Sequence, residues 1–171
     1  MSGYFLHIMV FNKVKKFPGL KMTKLSGGKH PVNLVEEFIT KRGVEPSECL
    51  SEKTADTVRW MLKVGEDEEL EVLVESLSKP AETTIYMGVN IATVPVRGGY
   101  EMLAAALEIA DGLVGIKVSL VGHFLVLSAS LGLAGVTVED LEYSYKLIEA
   151  QQTWFKEALS EELGIETLPD E

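Results

Sequence analysis

Across residues 70–133 the spacing of apolar residues switches from strand-like to helical and back, and no other feature restricts the fold as tightly. Leu70, Val72 and Val74 alternate with Glu69, Glu71 and Glu75, the pattern of a strand that shows one face to water. In residues 83–94, Ile85, Met87, Val89 and Ile91 share one face, and Thr84, Tyr86, Gly88, Asn90 and Ala92 share the other. Lys79, Pro80, Ala81 and Glu82 turn the chain between these runs, since Pro80 cannot extend a ladder. Gly98-Gly99 ends the alternation. Met102, Leu103, Ala106, Leu107, Ile109 and Ala110 then recur at helical spacing, and Gly112 is the expected stop. Residues 113–121 and 123–131 read as a hairpin closed by a tight turn at Val121-Gly122-His123.

The flanks supply the remaining elements. Asn33 followed by Glu36 matches a capping box, and Leu34, Val35, Phe38 and Ile39 give a helical stripe that Gly43 ends. Residues 46–56 are polar and turn-like. Val58, Trp60 and Leu62 alternate with Arg59, Met61 and Lys63, which predicts a strand. Thr137 and Asp140 match a second capping box, opening a helix over residues 138–163 that Gly164 ends. That helix carries two apolar stripes: Leu141, Tyr145, Ile148 and Phe155, then Tyr143, Leu147, Ala150 and Trp154. The pattern predicts an α+β domain, an antiparallel five-stranded sheet with packed helices, in the order α-βββ-α-ββ-α.

A chain of 171 residues holds one sizeable core. The expected division is a basic extension or linker over residues 1–30, the α+β domain over 31–164, and an acidic tail over 165–171. No run of about 18 apolar residues occurs, so no membrane span is expected. The single cysteine, Cys49, excludes an intrachain disulfide framework and points to a reducing, cytoplasmic setting.

Net charge is −10, unevenly placed. Residues 1–43 hold eight bases against two acids, and the remainder holds eight bases against 24 acids. An acidic body argues against nucleic acid as a partner. The apolar residues 4–11 are followed by Lys13, Lys15 and Lys16, the reverse of a secretory signal, and read as a docking element rather than a membrane-surface anchor. Met9 and Met22 are further possible starts.

No motif announces catalysis. His7, His30 and His123 lack metal-ligand spacing. Gly27-Gly28-Lys29 is followed by His30 where a phosphate-binding loop needs a hydroxyl, and Cys49 has no neighbour that would activate it. The acidic turn at residues 65–68 lacks the alternating oxygen ligands of a calcium loop. The expectation is no enzyme, no cofactor and no metal. The alternative is an enzyme or small-molecule sensor whose pocket forms only in the fold.

From residue 33 to about residue 163, the order of elements resembles the type III secretion chaperone-like fold shared with the YbjN-like putative regulator family. Residues 102–155 carry most of the likeness. They comprise the helix ending at Ile109-Ala110-Asp111-Gly112, the hairpin from Gly115-Ile116-Lys117-Val118 to Phe124-Leu125-Val126-Leu127, and the approach to the last helix through residues 133–141. The resemblance implies a commonly dimeric domain that binds another protein and catalyses nothing. Surplus apolar surface also points to a homodimer. Residues 123–131 are apolar on both faces, and the last helix has two stripes where one suffices to cover a sheet. Phe124, Tyr143, Leu147 and Trp154 are the candidate dimer or partner contacts; the identity of a protein partner is not written in the sequence.

Overall fold

The computed structural model describes residues 29–65, 68–79, 81–166 and 168–169. The apolar run at residues 4–11 and the Gly27-Gly28 pair lie outside them.

Helix α1 (Pro31–Lys41) starts earlier than Asn33 implies. His30 is the N-cap, Pro31 occupies the first turn, and no side chain caps the helix. Proline suits that position because its missing N–H has no intrahelical partner there. A one-turn helix α2 (Pro46–Cys49) leads into a short strand β1 (Leu50–Lys53). Strands β2 (Val58–Val64), β3 (Glu68–Glu75) and β4 (Thr84–Thr93) follow, then α3 (Gly99–Ala110), β5 (Lys117–Val121), β6 (Phe124–Gly132) and α4 (Val138–Leu163).

The sheet among the described residues is antiparallel and six-stranded, in the order β1-β2-β3-β4-β6-β5. The expected five strands are all present. The sixth, β1, is the correction: its Leu-Ser-Glu-Lys sequence has one apolar residue and no alternation. It pairs antiparallel with β2, with a register shift between Leu50 and Glu52. An edge strand held by its neighbour's hydrogen bonds needs no hydrophobic period of its own.

Register places Leu62, Leu70, Val89, Leu127 and Val118 in one row across five strands. That face meets α1, α3 and α4 in a single core that includes Phe38, Trp60, Met102, Tyr145 and Phe155. Full burial of each such large side chain contributes about 1.5–3 kcal/mol. The first predicted stripe of α4 is the buried one: Leu141, Tyr145, Ile148 and Phe155 are at most 1% exposed.

The capping box of α4 is present in both directions. Thr137 Oγ1 accepts the Asp140 amide at 3.2 Å, and the Asp140 carboxylate accepts the Thr137 amide at 2.8 Å. Gly164 closes the helix in the left-handed region, φ 65°. Beyond it the chain returns to the sheet. The Thr93 amide donates to the Pro169 carbonyl at 2.8 Å, and Leu168 packs against the core.

The opposite face of the sheet covers itself. Leu73 and Val126 are buried there outside the main core. Arg59 bridges from β2 to both neighbouring strands, 3.2 Å from Glu52 and 2.7 Å from Glu71. Tyr86 lies back along its own strand over Gly88, so close that a Cβ at Gly88 would stand 2.3 Å from the phenol oxygen. Burial pushes the Tyr86 phenol above its ordinary range, with a smaller opposing pull from the Ser128 hydroxyl.

Candidate protein-binding surface

Helix α3 is half core and half surface. Met102, Ala105 and Ala106 are buried, whereas Tyr100 and Leu107, two turns apart on the other side, are 83% and 70% exposed. Glu101, Glu108 and Asp111 share this outward side, and none of them makes an ion pair with another described residue. Beside α3 stands β5, the last strand in the sheet, with one hydrogen-bonding edge that pairs with no described strand. Its Leu120 and Val121 are both more than half exposed. An unpaired edge with exposed apolar residues is a template for another extended chain.

The loop from α3 to β5 is tied to α4. Gln151 accepts the Val114 amide through Oε1 at 3.3 Å and donates to the Val114 carbonyl through Nε2 at 3.1 Å. Leu147 packs on Gly115, where a Cβ would lie 2.8 Å from its methyl, and the Trp154 ring packs on Gly112. Gly115 has φ 76°, so its backbone conformation also favours glycine. These contacts explain the second stripe of α4. Leu147 and one side of Trp154 seat the loop, while Tyr143 stays 65% exposed and Trp154 44% exposed.

The four residues expected to form contacts are thus placed differently. Tyr143 and Trp154 present exposed aromatic surface on α4, and Leu147 lies half-buried between them. Phe124 alternates with the core residue Leu125, belongs to the helix-free face, and is half-buried beneath the His123 ring at 4.1 Å. None of Tyr100, Leu107, Val114, Leu120 and Val121 is a contact candidate from sequence, and Leu107, part of the helical stripe expected to pack inward, is 70% exposed. A helical wheel of α3 alone does not show which of its apolar residues the sheet hides.

Arg42 shows how the helix layer is fixed at its other side. Its guanidinium stacks over the Tyr145 ring at 3.5 Å and lies 3.3 Å from Glu142. Burial, opposed by Arg42, pushes the Tyr145 phenol up. Among the described residues no three His, Cys, Asp or Glu side chains gather to hold a metal ion, and no helix is long and apolar enough to cross a membrane. The Cys49 thiol is half-buried, and burial pushes its pKa up, away from a reactive thiolate.

No protein-family model and no curated protein matches the sequence. Solved structures do. A chain from the HopA1–SchA chaperone–effector complex matches with 14% identity and a TM-score of 0.50, covering 74% of this chain and 92% of the other. A chain from the ExsC–ExsE complex matches with 15% identity and a TM-score of 0.50, covering 74% and 91%. A third match, with 15% identity and a TM-score of 0.49 over 74% and 98%, comes from the heterodimeric ExoU–SpcU complex of the type III secretion system of Pseudomonas aeruginosa. The protein therefore shares the α+β fold of chains from these complexes.

Proposed function

We propose that the protein is a non-enzymatic protein-binding module, a chaperone-like or YbjN-like regulatory adaptor that acts as a cytoplasmic homodimer. The reading is carried by one observation: α3, with Tyr100 and Leu107 exposed, packs beside β5, an open edge strand whose Leu120 is exposed on the helix side of the sheet and whose Val121 is exposed on the other. Such a surface suits association by strand pairing with helix contact, and the twofold dimer is the commonest homo-oligomer. The similarity to chains from complexes such as chaperone–effector HopA1–SchA supports the same reading. In it, residues 31–164 are the binding domain and residues 1–30 an extension to it. Tyr143, Leu147, Trp154 and Phe124 remain contact candidates for a protein partner, with Leu147 acting through the loop it seats.

Sedimentation velocity tests the dimer. The native chain should sediment as a dimer at micromolar concentration, and Leu107→Asp with Leu120→Asp should give a folded monomer with unchanged circular dichroism. A native monomer at that concentration would remove the dimer from the reading.

A further inference from the structure

We infer that residues 1–28 dock in cis on the aromatic patch of α4, covering the exposed side of Trp154. The patch runs along one side of α4 from Tyr143 to Trp154, about three turns apart, with Val114 held to the helix by the Gln151 clamp and Trp154 packed on Gly112. Val114 is 69% exposed, and the two aromatic rings are also open. The surroundings are acidic. Asp111 immediately precedes Gly112, and Glu157 and Glu161 follow Trp154 at helical spacing on the same side; all three are exposed and make no ion pair with another described residue. An open apolar patch ringed by unneutralised carboxylates calls for an occupant that is both apolar and basic.

The chain carries such a segment. Residues 1–28 contain Lys13, Lys15, Lys16, Lys21 and Lys24 and no acidic residue, interleaved with Phe5, Phe11, Val14 and Phe17. Only His30 and Lys29 separate it from α1, so it is tethered to the body it complements. Tethering replaces a bimolecular encounter with an effective concentration in the millimolar range, enough for weak contacts to hold. The helix-free face of the sheet is a poorer host, because its Glu52, Glu69 and Glu71 are already met by Arg59 and Lys63. This inference is independent of pairing at β5.

Trp154 reports the docking directly. Acrylamide, a neutral quencher, reaches it but not Trp60, which is 1% exposed. The comparison is between the full native chain and the full chain carrying Lys13→Glu, Lys15→Glu and Lys16→Glu. Charge reversal should raise the quenching slope, because it removes the attraction that holds the head over the exposed side of Trp154. Added salt should raise the native slope toward the variant's, because the attraction is screened. Glu157→Lys with Glu161→Lys should release the head in the same way. Equal slopes in native and Lys-reversed chains overturn the inference. Protection that disappears on dilution also overturns it, since the occupant is then a second copy.

Discussion

Gln151 of α4 grips Val114 of the α3–β5 loop by both its amide and its carbonyl, at 3.3 and 3.1 Å. One side chain thus replaces the two backbone partners that an irregular loop lacks. Gln151→Ala should lower stability by about 1 kcal/mol, the usual size for lost hydrogen bonds at a partly wet site. Hydrogen exchange should show faster exchange of the Val114 amide with β2 and β3 unchanged. An unchanged Val114 exchange rate would mean that Leu147 and Trp154 hold the loop without it.

Tyr86 and Gly88 define a second test. The ring occupies the space a Cβ would need. Gly88→Ala should therefore destabilise by about 1–3 kcal/mol, the range for overpacking. In a Tyr86→Ala background the same change should cost much less, and urea unfolding of the four-member cycle measures the difference.

The buried Tyr145 and the half-buried Tyr86 set the alkaline behaviour. Burial raises Tyr86 and Tyr145 in the folded protein above the ordinary 10.0. With the folded pKa above the unfolded one, their contribution to stability is fully present below pH about 10 and is lost as pH rises through the folded values. Absorbance titration of the phenolates should show a late-titrating component that coincides with alkaline unfolding. Tyr86→Phe should shrink that component.

Thr137→Ala should cost about 1 kcal/mol by removing the acceptor for the Asp140 amide and half of the capping box. Thermal unfolding checks it, and Thr137→Ser should restore most of the loss.

That box was legible in the sequence because capping is local: Thr137, Asp140 and Gly164 state both ends of α4 without tertiary help. The rows of alternating residues in β2, β3 and β4 were legible for the same reason. The Asn33 box failed because a proline two residues upstream extends the helix and moves its cap to His30. Strand β1 was hidden because its partner's hydrogen bonds, rather than its own side chains, hold it. The candidate surface was only half legible. Tyr143 and Trp154 could be read from the second stripe of α4, but the burial of Leu147 depends on Gly115, 32 positions earlier in the chain. The openness of Leu107 and Leu120 depends on strand order, which periodicity does not encode.

In the proposed reading, α3 and the edge of β5 form a protein-binding surface used first by a second copy. Sedimentation velocity of the native chain beside the Leu107→Asp, Leu120→Asp variant tests it most directly. The expected result is a native species of twice 18.8 kDa at micromolar concentration and a folded variant of 18.8 kDa. A native chain that sediments at 18.8 kDa, or a variant that remains dimeric, would contradict it.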